Sequence, residues 1–509
     1  MPYTYKRGKS GMIFTISGLL IFSVVLWGLI APEMMEQAME STMTQMIQHF
    51  GWFYILSTAF FLGFCFYLGF GPYRHMKLGK KVDTPEYNYF TWLGMLFAAG
   101  MGVGLVFWGV GEPMSHYVEP PPGVESESQE AAEQGLLYGV FHWGFHPWAI
   151  YAIVALGLAF AKFRKDLPGL ISSTFYPILG DRIRGPIGKT IDIIAIVATT
   201  VGIATSFGLS TMQVGIGFSH VFGWDNGTMM QLMIISVVTI IFLISVVSGL
   251  NKGMRLLSIG NLSLAGVLLL VGLLLGPTVF ILEHFSKTFG QYATGFMQMT
   301  FQTTPYSEGE WVQDWTLFYW AWVISWSPFV GTFIARISRG RTLQEFIIGV
   351  LFVPTLVTIL WFVTFGGSGL YYEMFENIDL AQAVLDEPEA GFFLVLSQLP
   401  FGGLLGFAGL LLIIIFFITS ANSATYVLGV FSSSGSMNPR SYVLIIWGLL
   451  ISAISAVLLL SGGIEGLQAT ATITSFPFMI IMLFMTVAIF RSLRKEGKEK
   501  HQIPEKEDW

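Results

Sequence analysis

The sequence predicts an all-α polytopic membrane protein with twelve transmembrane helices. Of its 509 residues, 53% are hydrophobic and only 11% are charged, whereas soluble proteins carry about 25% charged residues. Apolar stretches long enough to cross a bilayer, which takes roughly 20 residues, recur along nearly the whole chain. Almost all basic residues fall in alternate connections between these stretches. Composition, stretch length and charge placement therefore agree on a chain that lies in lipid.

The apolar stretches follow one another with short connections. They cover residues 12–31, 51–71, 89–111, 136–161, 190–211, 230–249, 257–282, 315–335, 345–366, 402–421, 441–461 and 467–490. An even number of crossings places both termini on one face. We expect that face to be the cytoplasm of a multi-pass protein in the cell membrane.

The charges support this arrangement. With both termini in the cytoplasm, 25 of the 26 Lys and Arg residues are cytoplasmic, and only Lys287 is external. Cytoplasmic loops of membrane proteins carry such an excess of basic residues. The acids lean the other way, since 21 of 32 Asp and Glu residues, Glu112 among them, are assigned to the external face. Solvated loops or a salty or alkaline habitat would each explain that bias.

Several classes of function are disfavoured. No loop is long enough for a nucleotide-binding domain, and the chain has no phosphate-binding loop, which argues against ATP-driven pumping by this chain. No stretch presents an acid, a base and a nucleophile together, so we predict no catalytic residues and no enzyme. His142 and His146 are four residues apart. Without a third ligand in view, we expect them to form hydrogen bonds within the bundle and not to bind a metal.

A glycine run, Gly100-Met101-Gly102-Val103-Gly104, lies in the middle of the third stretch. Each glycine inside a helix costs about 1 kcal/mol relative to alanine. One interpretation is close helix packing, since Gly100 and Gly104 form a small-xxx-small pair. The other is an unwound segment whose freed N–H and C=O groups face a cavity and bind a charged solute or an ion.

Two aromatic, proline-containing stretches favour the second interpretation. The fourth stretch carries Trp143, Trp148 and Tyr151 around Pro147, and the three rings cover an arc of roughly 140°. The eighth stretch surrounds Pro328 with further rings, which are Trp320, Trp322, Trp326 and Phe329. Indole faces attract cations, by about 2 kcal/mol when desolvated. Because we expect no Asp or Glu mid-membrane near these rings, we predict a cage for a zwitterion, with its carboxylate on backbone N–H groups of the glycine run.

Hydroxyl pairs recur five stretches apart. Thr205 and Ser206 lie in the fifth stretch, and Thr419 and Ser420 lie in the tenth. An offset of five helices indicates two repeats of inverted topology. One interpretation is that each hydroxyl donates a hydrogen bond to a backbone carbonyl of its own helix. The alternative is that the hydroxyls are oxygen ligands for Na⁺, whose coordination is completed by carbonyls of the unwound helix.

The chain resembles the betaine/choline/carnitine transporter family, and within it the sodium-coupled compatible-solute members. The resemblance covers nearly the whole chain, and five segments carry it: Gly100-Met-Gly-Val-Gly104, His142-Trp-Gly-Phe-His-Pro-Trp-Ala-Ile-Tyr151, Phe318-Tyr-Trp-Ala-Trp-Val-Ile-Ser-Trp-Ser-Pro-Phe329, Ala335-Arg-Ile-Ser-Arg-Gly-Arg341 and Phe417-Ile-Thr-Ser-Ala-Asn-Ser-Ala424. It implies two leading helices followed by two inverted five-helix repeats, the LeuT-like fold, and a homotrimer.

The resemblance divides the chain into five parts. They are an N-terminal tail with two helices (1–88), a first repeat (89–283), an external amphipathic connector (284–312), a second repeat (313–490) and a charged cytoplasmic tail (491–509).

The resemblance also implies which residues hold the solute and the ions. The expected solute contacts are Gly100, Met101, Gly102, Gly104, Trp143, Trp148, Tyr151, Trp322, Val323 and Trp326. One sodium site is expected from the carbonyls of Ala98, Met101 and Phe416 with the hydroxyls of Thr419 and Ser420. A second, weaker sodium site would use Thr199, Ser206 and Phe329. Apart from Na⁺ as coupling ion, no cofactor is expected.

The sequence departs from the family pattern at informative positions. Val323 stands where the family has a further cage tryptophan, which opens the cage to a bulkier ring such as ectoine. Ile203 replaces a threonine that the family can use for the second sodium ion. Gly104 is not an acid, and an acid there would favour choline. The hydroxyls of Thr419 and Ser420 argue against a sodium-independent exchanger.

We therefore predict Na⁺-driven uptake of a zwitterionic compatible solute, glycine betaine or a related quaternary ammonium compound, by alternating access. Uptake of ectoine, hydroxyectoine or choline is the alternative within the family, and an osmosensing channel is the alternative outside it. The basic tail from Arg491 either contacts anionic lipid or only anchors the topology. No nucleic-acid partner is expected.

Overall fold

The computed structural model describes residues 11–100, 102–249, 251–303 and 309–501, with only the backbone of 97–100, 251–252 and 498–501. Within these residues the structure is helical, and the single β pairing is an isolated bridge between Lys77 and Thr342. The prediction of an all-α protein is confirmed.

The described part of the chain contains nineteen α-helices, some of them continued by single turns of 3-10 or π geometry. In chain order they are α1 (Met12–Ile30), α2 (Pro32–Phe70), α3 (Tyr89–Gly100), α4 (Val103–Val118), α5 (Gln129–Trp143), α6 (Phe145–Ala159), α7 (Tyr176–Leu179), α8 (Pro186–Phe222), α9 (Thr228–Ser248), α10 (Asn251–Leu275), α11 (Thr278–Thr300), α12 (Glu310–Val312), α13 (Phe318–Ile337), α14 (Leu343–Ile347), α15 (Val353–Glu376), α16 (Ala381–Asp386), α17 (Gly391–Gln398), α18 (Gly402–Ser432) and α19 (Ser441–His501).

Ten helices or continuous helix runs of the described residues are long and apolar enough to cross a membrane. Two breaks account for the difference from the twelve predicted stretches. α3 and α4 are each too short to span, and they follow one another across the glycine run. α19 joins the last two stretches at Gly462 and Gly463, where the backbone is not helical. A polytopic membrane protein is confirmed, and the count of twelve crossings stays a prediction.

Several helices extend beyond their predicted ends, α2 and α4 among them. α2 begins at Pro32, so much of the segment before residue 51 is helical. α4 continues through Pro113 to Val118, past the predicted end at residue 111. Glu112 is therefore buried completely inside the bundle, and its assignment to an external loop was wrong. The polar residues at this end of α4 find partners on α5 and α13, which lets the helix continue at this depth.

The centre of the bundle is built from α4, α6, α8, α13 and α18, which pack against one another. α1, α9 and α10 lie at the periphery and expose apolar side chains such as Leu19, Ile240 and Leu270. An outer surface of this kind suits lipid and not water. The polar and aromatic residues of the candidate site lie between the central helices.

Ion pairs join segments that the charge pattern places on the same face. On the predicted cytoplasmic side, Arg339 contacts Asp83 at 3.2 Å, and its guanidinium holds the pKa of the Asp83 carboxyl below its usual range. On the predicted external side, Lys287 contacts Glu133 at 2.5 Å. Which face is cytoplasmic stays a prediction.

The predicted connector and the predicted cytoplasmic tail are each described only in part. The predicted connector, 284–312, is helical in α11 up to Thr300, and its residues 304–308 lie outside the described residues. The predicted tail continues α19 to His501, and residues 502–509 lie outside the described residues as well. The five-part division of the chain and the inverted repeats remain predictions.

Candidate functional site

The third apolar stretch is interrupted at the glycine run. α3 ends at Gly100 and α4 begins at Val103, with Gly102 in an extended conformation between them (φ −129°, ψ −179°). Met101 lies outside the described residues. The first amide groups of a helix have no intrahelical acceptor, and this end of the helix dipole is positive. The break therefore presents amide donors, as the second interpretation of the glycine run requires.

The start of α4 faces a cavity that, together with the solvent space at its open side, measures about 630 Å³. Seven of the ten predicted solute contacts line it, namely Gly102, Gly104, Trp143, Tyr151, Trp322, Val323 and Trp326. The other lining residues are Val103, Ile203, Ser206, Phe207, Ser210, Phe329, Phe417, Ser420, Ala421 and Ala424. None of these described lining residues is charged. The cavity therefore combines aromatic walls with backbone donors.

Gly104 lets two indole rings approach the backbone of α4. A Cβ atom at this position would lie 2.6 Å from Cη2 of Trp143 and 2.7 Å from Cη2 of Trp322, distances that carbon atoms do not tolerate. At Gly102 a Cβ atom would meet Cη2 of Trp326 at 3.7 Å, which is an ordinary contact. The rings thus require glycine at 104 and leave room for a methyl group at 102.

The rings of the cavity form two edge-to-face pairs. Trp143 and Trp322 have centroids 5.8 Å apart with planes at 84°. Tyr151 and Trp326 have centroids 6.1 Å apart with planes at 64°. Aromatic pairs favour such geometry at centroid distances of about 4.5–7 Å. A cation placed between the pairs would meet ring faces, whose quadrupoles attract it.

The fourth stretch bends between its tryptophans. α5 ends at Trp143, and α6 begins after Gly144, whose backbone is not helical (φ −92°, ψ −131°). Pro147 has no N–H for the carbonyl of Trp143, and Oγ1 of Thr358 donates to that carbonyl instead at 3.2 Å. Because of the bend, Trp148 does not line the main cavity.

A second cavity adjoins the first and, together with the solvent space at its open side, measures about 440 Å³. Four residues line both cavities, namely Trp143, Tyr151, Val323 and Trp326. Its other lining residues are Leu105, Pro147, Trp148, Pro354, Val357 and Thr358. Val323 therefore stands on the boundary of both cavities, at the position where the sequence predicts additional room.

The residues of the first predicted sodium site are only partly described. Thr419 Oγ1 donates to the carbonyl of Ile415 at 2.8 Å and to that of Phe416 at 3.2 Å, which is the back-bonding alternative. Ser420 lines the main cavity. Ala98 belongs to the last turn of α3, of which only the backbone is described, and Met101 lies outside the described residues. Sodium binding here stays a prediction.

The second predicted sodium site is divided between the cavity and the interior of α8. Ser206 and Phe329 line the cavity, and Oγ of Ser206 accepts from Nε1 of Trp322 at 3.3 Å. Thr199 is buried, and its hydroxyl donates to the carbonyl of Ala195 at 2.6 Å. The serine therefore also helps to hold a ring of the cavity.

The two histidines of the fourth stretch form hydrogen bonds within the bundle, as predicted. Nε2 of His146 lies 3.0 Å from Oγ1 of Thr300. Nε2 of His142 lies 2.9 Å from Oγ1 of Thr316, and its Nδ1 lies 2.5 Å from Oε1 of Glu112. The two rings thus serve different partners.

Glu112 is the feature of the site that sequence reasoning missed. Its carboxyl accepts a hydrogen bond from Tyr319 at 2.8 Å, and the Tyr319 ring lies 5.6 Å from that of Trp143. The expectation of no acid near the cage was wrong, because α4 runs past its predicted end. The available signal was a glutamate four residues before His116, one helical turn away on the same face.

Comparison with known proteins gives consistent matches over nearly the whole chain. Residues 12–498 match the family described as betaine/carnitine/choline family transporter, BCCT. The chain is similar to the glycine betaine transporter OpuD of Bacillus subtilis (strain 168), with 47% identity over 489 residues that cover 96% of this chain and 95% of the relative. It is also similar to the ectoine/hydroxyectoine transporter of Virgibacillus pantothenticus, with 41% identity covering 98% and 100%. A probable glycine betaine transporter of Desulfitobacterium hafniense (strain Y51) is 40% identical, covering 96% and 98%.

Proposed function

The chain belongs to the betaine/carnitine/choline family of membrane transporters, and on that premise we propose that it imports a zwitterionic compatible solute, such as glycine betaine, together with Na⁺. The main support for the proposal is that the main cavity is lined by aromatic rings and borders the interrupted helix. The relatives named for glycine betaine and ectoine support a compatible solute.

The two ends of such a solute match two different parts of the cavity. A quaternary ammonium group donates no hydrogen bonds, so ring faces suit it better than carbonyl groups. The paired rings of Trp143 with Trp322 and of Tyr151 with Trp326 offer such faces. The carboxylate would accept hydrogen bonds from the first amides of α4, since helix N-termini favour anions.

Sodium would supply the driving force for uptake. A zwitterion carries no net charge, so each accompanying Na⁺ contributes about 2.3 kcal/mol per 100 mV of membrane potential. We place the first ion between the glycine run and the hydroxyls of Thr419 and Ser420, and a weaker one at Thr199, Ser206 and Phe329. Position supports the first assignment, because Ser420 and the start of α4 line the same cavity.

Transport would proceed by alternating access, with one helical repeat moving against the other around the cavity. We place both termini in the cytoplasm because this orientation makes 25 of 26 basic residues cytoplasmic. A homotrimer follows from the family resemblance, and the basic residues from Arg491 suit anionic lipid.

A second candidate solute is a cyclic zwitterion of the ectoine type. The specific observation that favours it is Val323, which borders both cavities and leaves space where a tryptophan would close the cage. A ring bulkier than a trimethylammonium group would extend from the main cavity towards Pro354 and Val357 in the second. One relative, at 41% identity, is named as an ectoine/hydroxyectoine transporter.

Uptake into liposomes that contain the purified chain tests the proposal. We expect labelled glycine betaine to accumulate under an inward Na⁺ gradient and not when K⁺ replaces Na⁺. Ectoine, choline and carnitine are then added as competitors. Equal accumulation in K⁺ would contradict sodium coupling, and competition by ectoine far stronger than by unlabelled glycine betaine would favour the second candidate. Fluxes far above carrier rates without sodium stoichiometry would indicate a channel.

A further inference from the structure

We propose that Glu112 is a positioning residue for the solute cavity, whose carboxyl group holds the cage rings through Tyr319 and His142. The inference rests on the proposed function of the main cavity and concerns residues that do not line it. Glu112 would hold the solute-binding residues in position without contacting the solute itself.

Glu112 lies in α4, about two turns beyond the glycine run, and is completely buried. In the part of the chain that the structure describes, its only ion-pair partners are His116 and His142. A buried carboxyl group without good partners is strongly unfavourable. Its position in the bundle therefore depends on the hydrogen bonds that it receives.

These hydrogen bonds connect three helices. Oε2 of Glu112 accepts from the Tyr319 hydroxyl at 2.8 Å. Oε1 lies 2.5 Å from Nδ1 of His142 and 3.3 Å from Nε2 of His116. The other ring nitrogen of His142 lies 2.9 Å from Oγ1 of Thr316. α4 is thus joined to the end of α5 and to the start of α13, the helices that carry the cage tryptophans.

Tyr319 transmits this anchoring to the cage. Its ring stacks on His142 at 4.8 Å, meets Trp143 edge to face at 5.6 Å and lies 6.4 Å from Trp322. On their other side, the two indoles contact the backbone at Gly104. The tryptophans are therefore held between the glycine of α4 and the tyrosine that Glu112 binds.

His142 provides a second, shorter connection. It immediately precedes Trp143, the last residue of α5, and the chain bends at Gly144 directly afterwards. A helix end beside such a bend has few backbone hydrogen bonds to hold it. The contacts of His142 with Glu112 and Thr316 fix this turn.

The bundle contains a matched hydrogen bond that involves neither Glu112 nor Tyr319. His146 binds Thr300 at 3.0 Å, is equally buried, and stacks on Trp320, which does not line the cavity. Removing that bond measures how far the loss of any buried hydrogen bond to an imidazole changes transport. Thr300→Val is therefore the control for the positioning role.

The test measures KM and Vmax for glycine betaine and for ectoine in liposomes, with Tyr319→Phe, Glu112→Gln and the double variant. Tyr319→Phe keeps the ring and removes the donor, and we expect it to raise KM by about tenfold, the upper range of the net effect of one hydrogen bond. Vmax should stay within about twofold. Because the Tyr319 hydroxyl acts only through its bond to Glu112, the double variant should be no worse than the more severe single variant.

The control separates this role from a general loss of stability. Thr300→Val should leave KM unchanged. An unchanged KM in folded Tyr319→Phe, an equal rise in Thr300→Val, or full additivity in the double variant would overturn the positioning role while wild-type uptake stays intact. If Glu112→Gln fails to fold, Tyr319→Phe alone decides. Absence of uptake of both solutes by the wild-type protein would instead contradict the proposed function, and the inference with it.

Discussion

The third and eighth apolar stretches both carry helix breakers, yet only the third is interrupted. Between α3 and α4 the backbone is extended at Gly102. α13 runs from Phe318 to Ile337 without a break, although Pro328 lies in its middle. Both stretches line the same cavity, and they contribute to it in different ways.

The difference has a local cause. Pro328 cannot donate to the carbonyl of Ile324 four residues earlier, but Oγ of Ser327 donates to that carbonyl at 2.7 Å. One missing bond is thus replaced by a neighbouring hydroxyl. Three glycines within five residues lower the helix propensity of a whole turn, and no single side chain compensates for that. α4 therefore offers backbone donors to the cavity, whereas α13 offers rings.

Among variants that shorten or replace a side chain, the largest expected effect comes from removing a ring. Trp326→Ala takes away a wall that both cavities share, and a desolvated cation–π contact is worth about 2 kcal/mol. We expect glycine betaine uptake to fall by at least about thirtyfold while the protein still reaches the membrane. Trp326→Phe should retain part of the activity. Near-normal uptake by Trp326→Ala, normalised to protein in the membrane, would remove this ring from the site.

The next effect concerns the sodium ligands beside the broken helix. Thr419→Ala combined with Ser420→Ala should raise the Na⁺ concentration for half-maximal uptake by about tenfold, as expected for loss of favourable oxygen contacts. Thr211 is the control, since its hydroxyl bonds back within α8 at 2.9 Å and does not line the cavity. Unchanged sodium dependence in the double variant would discard this ion site and leave back-bonding as the role of Thr419.

An effect on selectivity, with less change in total uptake, is expected at Val323 in α13, where the sequence departs from the family pattern. Val323→Trp should fill the boundary between the two cavities and shift the uptake ratio towards glycine betaine and away from ectoine. Steric discrimination in apolar pockets amounts to about 1–3 kcal/mol, or roughly 10–200-fold. Competition of both labelled solutes measures the shift. An unchanged ratio would mean that selectivity is not set at position 323.

The smallest effect is expected at the proline of α13. Because the helix is already continuous, Pro328→Ala should change uptake by less than about twofold. Ser327→Ala should lower the free energy of unfolding by about 1 kcal/mol when Pro328 is present, and by less in the Pro328→Ala background. Thermal unfolding of the wild type, the two single variants and the double variant in detergent measures this difference. Equal losses in both backgrounds would show that Ser327 does not replace the missing bond.

The sequence allowed much of the fold and cage to be predicted, because both depend on local patterns. Stretches of about 20 apolar residues identify spans, and three closely spaced glycines identified the break before any contact was known. Trp148 was harder to place, since helical spacing assumes a straight helix and the bend at Gly144 turns this ring into the second cavity. Glu112 was missed because its partners, His142 and Tyr319, lie 30 and 207 positions away. Long-range pairing of a buried acid leaves almost no trace in local hydrophobicity.

A matched pair of glycine variants tests most directly whether the broken helix and the cage form one binding site. Gly104→Ala places a methyl carbon 2.6 Å from Trp143 and 2.7 Å from Trp322, whereas Gly102→Ala meets Trp326 at 3.7 Å in a backbone conformation open to any residue. The measurement is Na⁺-dependent glycine betaine uptake by the two variants in liposomes, at equal amounts of folded protein. We expect Gly104→Ala to lose uptake almost completely and Gly102→Ala to keep most of it. Equal activity of the two variants would contradict the account, because the rings would then not depend on the backbone of α4.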